Sequence, residues 1–284
     1  MADQSHFALL KQGASTWNAW RRGHFEIQPD LSGANLRRIN LSEVNLHASN
    51  LSGTNFFQAN LCRADLSESN LSEANFREAY LNGARLFGSD ISGCDFSDAD
   101  VGRANLDFTK ALSNKAIFSG ANLNRATLTH IQLPQAVFSH ADFSGASLRE
   151  TDLTGVDLSG ATFRMTYLIR TILDSANLSG ADLCEAILDN ASLRQANLHA
   201  AYLNKANLHR ANLFRADLTE ANLNQANLSS ANLEGANLSK AHLCEADLTD
   251  ANLNGADFSW IVLIGAIVEP EQLDRAKSGN HVIR

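Results

Sequence analysis

Residues 206–240 read ANLHR-ANLFR-ADLTE-ANLNQ-ANLSS-ANLEG-ANLSK, seven five-residue units in a row. Each unit begins with alanine, continues with asparagine or aspartate, and has leucine as its third and central residue. Leucine or phenylalanine recurs every fifth residue from Leu31 to Leu106 and again from Phe118 to Leu263, apart from Ile91 and Val101. Self-similarity at a fixed period indicates a fold made of stacked repeats.

A period of five residues fits neither the 3.6-residue turn of a helix nor the two-residue alternation of a strand. It fits a short extended piece followed by a corner. Thirteen of the 17 glycines occupy the second position after the central residue. In a type II turn that begins at the central residue, this position needs a positive φ, which glycine adopts readily. We therefore expect one corner per unit, of type II where glycine is present and of another type at many corners that lack it.

The phenylalanines give the length of one coil. They recur at every twentieth residue, with one longer step between Phe96 and Phe118, in two sets: Phe56, Phe76, Phe96, Phe118 and Phe138, and then Phe143 and Phe163. Because a bulky ring packs well on another ring directly above it, four units of five residues make one coil. The central residue and the alanine two positions before it should point inward, and the other three residues should point outward.

The A-[D/N]-L-x-x units resemble the pentapeptide-repeat family, whose members form right-handed quadrilateral β-helices. The resemblance covers residues 29–268, with a register interruption at residues 107–115. It implies an all-β fold, a right-handed parallel quadrilateral β-solenoid. The number of repeats predicts about 11 to 12 coils, and the segments on either side of the repeats predict short helical caps at both ends. Right-handedness also agrees with the general hand of parallel crossovers. The interruption predicts a bulge or small loop, and a functional loop is the alternative.

The N-terminal segment, residues 1–28, is predicted to be a helical cap. Phe7, Leu10, Ala14 and Trp17 have helical spacing, which predicts one amphipathic helix over residues 5–22 that covers the first coil. A helix that binds a partner or a membrane surface is the alternative.

The C-terminal segment, residues 269–284, is predicted to be a second helical cap or tail. Pro270 marks the start of a helix and Ser278-Gly279-Asn280 its end. Trp260, Val262 and Ile264 are expected to lie under or beside this helix, or to contact a second copy of the chain in a homodimer.

The sequence carries no motif for catalysis, a metal or a cofactor. The four cysteines lie far apart, and the nine histidines lack the spacing of metal ligands. No apolar stretch is long enough for a membrane helix, and no secretory signal is visible, so a cytoplasmic protein is expected. The net charge is −8 and the sequence shows no basic face, which disfavours direct binding of nucleic acid. We therefore expect a protein that is not an enzyme.

Two functions remain from the sequence. The first is a scaffold or adaptor that binds another protein in a regulatory role. The N-terminal pattern Leu9-Leu10-Lys11-Gln12-Gly13 followed by Trp17-Asn18-Ala19-Trp20-Arg21 resembles the leaders of cyanobacterial family members, some of which influence development. The second is a DNA mimic, because some members of the family act on DNA gyrase as acidic rod-shaped dimers. Basic residues interrupt each acidic stripe here, which favours the scaffold.

One group of outward positions departs from the polar rule. Apolar residues occupy several neighbouring outward positions, flanked by two arginines, and we predict that this group is a protein-contact patch; sequence drift of the repeat is the alternative. The group consists of Arg164, Met165, Tyr167, Ile169, Arg170, Ile172 and Ile187.

Overall fold

The computed structural model of the chain describes residues 2–107, 109, 115–131 and 133–277. The chain forms two compact units, Met1–Asp142 and Phe143–Arg284. The described residues form three helices: α1 (Gln4–Leu10), α2 (Ala14–Gly23) and α3 (Pro270–Arg275). The remaining regular structure of these residues consists of isolated parallel β-bridges, because each side of a coil has room for only a few extended residues.

The bridges join residues 20 positions apart, as the phenylalanine spacing predicts. In the first unit they begin with Asp30 and Asn50 and recur every five residues, so each coil has four bridge positions. Across the interruption the offset becomes 22, as between Asp95 and Ile117, and then returns to 20 between Ile117 and Val137. The coil therefore absorbs two extra residues without losing its register. Most of the 107–115 interruption, namely Phe108 and residues 110–114, lies outside the described residues.

The second unit keeps the offset of 20 throughout, from the bridge between Ser147 and Tyr167 to the bridge between Asp257 and Lys277. Both units are thus parallel β-solenoids. Their central residues and alanines are buried, with exposures near zero, while the residues between them, apart from Ser92 and Gly102, are half-buried or exposed. The right-handed sense of the coils stays a prediction from the family.

Phenylalanine rings stack inside both units. In the first unit the ring centroids of Phe56, Phe76, Phe96, Phe118 and Phe138 are separated by 4.9, 4.7, 4.6 and 4.8 Å in turn. In the second unit the centroids of Phe143 and Phe163 are 4.9 Å apart. These distances equal the spacing between β-strands, about 4.8 Å, so the backbone bridges impose the stacking of the rings.

The backbone of one repeat satisfies all five of its N–H groups. In the unit that begins at Ala196, four N–H groups donate to carbonyls, one across the preceding corner to Leu193 and three in neighbouring coils. The fifth N–H, that of His199, donates to the side-chain Oδ1 of Asn197 at 3.0 Å. This contact explains the preference for asparagine and aspartate before the central residue: their side chains accept from an N–H that no carbonyl reaches. We call this position the Asx slot.

The corners differ from the expectation. Among the described residues, thirty-two that are not glycine have φ between 52° and 62°, and each of them occupies the same corner position as the glycines. The turn hydrogen bond is also the same with and without glycine: Ala201 donates to Leu198 at 3.0 Å across Ala200, and Ala181 donates to Leu178 at 3.0 Å across Gly180. The expectation of another turn type at corners without glycine is therefore wrong. Ladder bonds on both sides of each corner hold the left-handed conformation in spite of its strain.

The N-terminal segment forms two helices, so the prediction of a single helix over residues 5–22 is wrong. The break falls at Gly13, whose φ of 103° ends one helix and precedes the next. Trp17 is fully buried, and its indole Nε1 donates to the carbonyl of Asn45 at 2.6 Å. Arg21 is also buried and donates to three backbone carbonyls, among them that of His47. Helix α2 thus supplies side-chain donors where a preceding coil would supply backbone donors.

Helix α3 begins at Pro270, as predicted, and ends at Arg275. The predicted stop at residues 278–280 lies outside the described residues. Gln272 anchors the helix in two ways. Its Oε1 accepts from the N–H of Glu269, and its Nε2 donates to the carbonyls of Leu248 and Ala251 at 2.9 and 2.8 Å.

Candidate functional site

The predicted contact patch lies in the second unit. Tyr167 and Ile187 occupy Asx slots that are bridged to each other, so they lie in one column on successive coils, as predicted. Ile172 occupies the next slot along the chain, and its bridges to Asp152 and Ser192 place it in the adjacent column.

The apolar residues of the patch are accessible. Met165, Tyr167 and Ile172 are 58%, 39% and 41% exposed, and Ile169 and Ile187 are half-buried. Met165 is a corner residue with φ 54°, and its long apolar side chain points away from the core. None of these side chains fills the interior, which the central residues and alanines occupy. Their apolar character therefore contributes little to the core.

Both predicted arginines are held in place by carboxylates. The Nη1 of Arg164 lies 3.0 Å from a carboxylate oxygen of Asp182, and the Nη1 of Arg170 lies 3.3 Å from one of Glu150. Exposed pairs of this kind contribute little to stability, because water screens their charges. Their effect here is to fix the direction of the two guanidinium groups beside the apolar residues.

Asp182 also affects a cysteine at the edge of the patch. Partial burial acts to raise the pKa of Asp182, but hydrogen bonds from Cys184 and Arg164 outweigh it and hold that pKa below its ordinary value. Burial, with the Asp182 carboxylate acting in the same direction, raises the pKa of the Cys184 thiol to about 11. Cys184 is therefore a protonated, weakly reactive thiol at neutral pH.

Sequence reasoning missed one residue that touches the patch. The guanidinium of Arg149 lies 5.0 Å from the ring centroid of Tyr167 and stacks over it. The separation in sequence between Arg149 and Tyr167 is the same as that between Arg164 and Asp182. The Arg170 pair with Glu150 instead joins equivalent positions of successive coils. Pairing each residue with the residues 18 and 20 positions later in the sequence would have found all three contacts.

The second predicted group lies near the end of the described chain. Trp260 and Ile264 remain 55% and 53% exposed, so α3 does not bury them, while Val262 is half-buried and bridged to His242. A groove of about 270 Å³ next to α3 is lined by other residues: Leu263, Gly265, Ala266, Val268, Pro270 and Leu273.

The first unit has an open, polar depression of about 440 Å³ that the sequence did not indicate. Arg85 and Asp65 form an ion pair at 2.7 Å along it, and the Nδ1 of His47 lies 3.0 Å from the Oγ of Ser67. Within the described residues, no three histidine, cysteine, aspartate or glutamate side chains group as metal ligands do. No helix among them is long and apolar enough to span a membrane.

A stack of five-residue units with inward leucine and alanine defines the chain as a β-solenoid repeat protein. The profile of the family described as pentapeptide repeats matches it in eight copies. The matched segments include residues 28–62, 54–93, 69–107, 116–155, 151–190, 191–229 and 226–265. The chain belongs to the pentapeptide-repeat family, whose members are generally non-enzymatic structural or interaction proteins.

Several solved structures are similar. HetL, a pentapeptide repeat protein involved in heterocyst differentiation regulation from the cyanobacterium Nostoc sp. strain PCC 7120, is 33% identical, over 84% of this chain and 95% of HetL, with a TM-score of 0.30. A pentapeptide repeat protein from the Arabidopsis thaliana thylakoid lumen is 31% identical over 42% of this chain and 73% of its own, with a TM-score of 0.19. QnrB1, a plasmid-mediated fluoroquinolone resistance protein, is 22% identical over 70% and 89%, with a TM-score of 0.43. No curated protein matches the chain.

Proposed function

We propose that this protein is a non-enzymatic scaffold that binds another protein through the patch around Tyr167. The supporting observation is the exposure of Met165, Tyr167 and Ile172 on outward positions that are elsewhere mostly polar. Tyrosine and methionine are enriched at protein interfaces, and a stiff, amphipathic tyrosine is a common anchor. Arg149, stacked on the Tyr167 ring, and Arg170 form a polar rim around it.

The non-enzymatic part of the proposal rests on how the interior is filled. Leucine, phenylalanine and alanine occupy the inside of both units at near-zero exposure, which leaves the outer sides as binding surfaces. Such sides suit contact with a protein better than enclosure of a small substrate. A regulatory role is also part of the proposal, because the similar protein HetL is involved in the regulation of differentiation.

We further propose the division of the chain that the sequence suggests. Residues 1–28 and the described part of 269–284 cap the repeat region 29–268, as the side-chain bonds of Trp17 and Gln272 to coil carbonyls support. For Trp260, Val262 and Ile264 we propose contact with a second copy of the chain, because two apolar residues stay more than half exposed there. Sedimentation should show dimers for the native chain and monomers for Ile264→Asp. The cytoplasmic localisation stays a prediction.

The patch is tested with a double variant, Tyr167→Ser with Ile169→Ser. The native chain, immobilised, should recover a partner from extracts of its own cells, and the double variant should recover much less of that same partner. Neither residue points into the core, so the unfolding free energy should change by about 0.5 kcal/mol or less. The matched control is Tyr80→Ser, because Tyr80 occupies an Asx slot of the first unit and is 54% exposed.

Unchanged recovery with the double variant would place the contact site elsewhere. A large fall in the thermal midpoint would show that Tyr167 and Ile169 serve the fold. Equal loss of partner with Tyr80→Ser would show that binding does not depend on the patch.

A further inference from the structure

The Asx slots follow a hydrogen-bond rule in both units. An asparagine or aspartate in the slot accepts, through Oδ1, from the N–H of the residue two positions later. Examples are Asp152 with Thr154 at 2.9 Å and Asn207 with His209 at 3.1 Å. This N–H points outward at the start of the corner, where the ladder of carbonyls cannot reach it.

The rule does not hold at slots with other residues, such as Tyr80 and Tyr202 outside the patch and three slots inside it. Tyr167, Ile172 and Ile187 occupy slots but carry no oxygen that could curl back to the corner. The N–H groups two residues later, those of Ile169, Asp174 and Asp189, consequently donate to no acceptor among the described residues. The serine and threonine at slots 147 and 162 leave the N–H groups of Arg149 and Arg164 in the same state. The patch therefore combines apolar side chains with a set of open backbone donors.

The open donors have a regular arrangement. Because Tyr167 and Ile187 are bridged, the N–H groups of Ile169 and Asp189 lie in one column on successive coils, about 4.8 Å apart. The N–H of Asp174 lies one corner further along the chain, beyond Ile172. Apolar residues and open donors thus alternate over two adjacent columns.

Nearby acceptors are already engaged within the chain. The carboxylates of Asp182 and Glu150 pair with arginines. The Oδ1 of Asp174 accepts from the N–H of Arg194 at 3.0 Å. What the patch lacks is a set of acceptors for its open N–H groups.

The carboxylate of Asp174 shows that an oxygen from outside a five-residue repeat can accept from the corner N–H of that repeat. The slot before Arg194 holds Ser192, and Asp174, from the preceding coil, takes over as acceptor for Arg194. In the first unit Asp107 does the same for the N–H of Thr129 at 2.8 Å. A carboxylate that arrives from another coil replaces the missing slot side chain, and a carboxylate from another molecule has the same chemistry.

We propose that the patch recognises an apolar peptide segment flanked by aspartate or glutamate, whose carboxylates accept from the open N–H groups of Ile169, Asp174 and Asp189. The apolar side chains of the segment contact Tyr167, Ile172 and Ile187, and its carboxylates also face Arg149. The inference rests on the proposed function and adds the chemistry of the partner. It differs from a purely apolar contact because the backbone donors set a requirement for acceptors.

The test uses three short synthetic peptides of alternating residues: leucine with aspartate, leucine with asparagine, and leucine with lysine. Each is titrated into the full-length, ¹⁵N-labelled chain, and amide shifts are followed. The aspartate peptide should move the amide signals of Ile169, Asp174 and Asp189 and bind about tenfold tighter than the asparagine peptide, as charge-assisted hydrogen bonds are the stronger kind. The lysine peptide should bind weakest. Equal affinity for all three peptides overturns the inference.

Two substitutions at one position separate the donors from the apolar surface. Ile187→Asn restores a side-chain oxygen in the Asx slot, which accepts from the N–H of Asp189. This variant should bind the aspartate peptide about tenfold more weakly, and hydrogen exchange at Asp189 should be slower. Ile187→Thr removes a similar apolar surface but should leave the N–H open, as Thr162 does for Arg164. If both variants lose affinity equally, the apolar surface alone binds and the inference is wrong.

The outcomes also separate the two proposals. If partner recovery depends on Tyr167 but peptide binding does not depend on charge, the scaffold proposal stands and the proposal of an acidic partner is wrong. Recovery that is independent of Tyr167 removes the scaffold function of the patch, and selective binding of the aspartate peptide would then still establish a carboxylate-reading site.

Discussion

The ring of Phe96 stacks on that of Phe118 at 4.6 Å and within 4° of parallel, although the chain between them is longer than between the other rings of the stack. The bridge between Asp95 and Ile117, the residues just before them, has the same longer offset. The two extra residues of this coil therefore leave the interior column intact. The phenylalanines continue through the interruption as one stack.

Phe96 should be the residue whose truncation tests this continuity. Phe96→Ala leaves a ring-sized cavity between two rings that the backbone bridges hold apart, so we expect a loss of about 3–5 kcal/mol in unfolding free energy. Phe96→Leu restores the common residue of this position and should lose less. Denaturant unfolding measures both variants. A loss below about 1 kcal/mol for Phe96→Ala would mean that the stack is not continuous at this residue.

The left-handed corner conformation predicts that glycine stabilises a corner relative to alanine, the reverse of its usual effect on stability. Gly180 and Ala200 are successive corners of one column, with φ of 65° and 54°, and a Cβ at Gly180 would meet no atom within 4 Å. Gly180→Ala should therefore lose about 1 kcal/mol through backbone strain alone. Ala200→Gly should gain a similar amount, less the chain entropy of glycine.

The matched control is Ala201→Gly, which changes a buried alanine at a position without positive φ and should destabilise the fold. Thermal unfolding of the three variants gives the order. If Ala200→Gly is destabilised as much as Ala201→Gly, the left-handed corners carry no strain.

The spacing of large apolar residues predicted the coil of four units, the buried alanines and the phenylalanine stacks. All three features follow from the five-residue period, because each repeat points one large and one small side chain into the interior. The corner was misjudged because propensity treats positive φ as a property of glycine. At Arg38 and Glu43 the ladder bonds over-determine it.

The patch was found from the sequence as a departure from the polar rule, but its donors were not. Finding the open N–H of Asp189 required knowing that Asx side chains bond back to the corner, which is a geometric fact of the turn. The break of the N-terminal segment at Gly13 was missed for a different reason. Apolar spacing continues on both sides of this glycine, and only its positive φ ends the helix.

The two functions left by the sequence make opposite predictions for DNA gyrase. A DNA mimic needs a continuous acidic surface, and here basic residues occupy corners of both units, for example Arg38, Arg103 and Arg210. We therefore expect no inhibition of supercoiling by this chain. A supercoiling assay at low micromolar protein, repeated at two salt concentrations, checks this. Inhibition that salt relieves would establish the mimic, because salt screens contacts between surface charges.

The N-terminal cap predicts an effect that opposes helix propensity. The side chain of Asn18 replaces part of a missing coil: its Nδ2 donates to the carbonyl of Glu43 at 2.9 Å, and its Oδ1 accepts from the N–H of Asn45 at 2.8 Å. Loss of two such bonds costs about 1–3 kcal/mol, whereas alanine in place of asparagine favours the helix by only about 0.7 kcal/mol. Asn18→Ala should therefore be less stable than the native chain and should speed hydrogen exchange at Asn45.

Thr16→Ala, an exposed change on the same helix, gains propensity without losing a bond and should be neutral or slightly stabilising. Equal stability of the two variants would show that water replaces the contacts of Asn18.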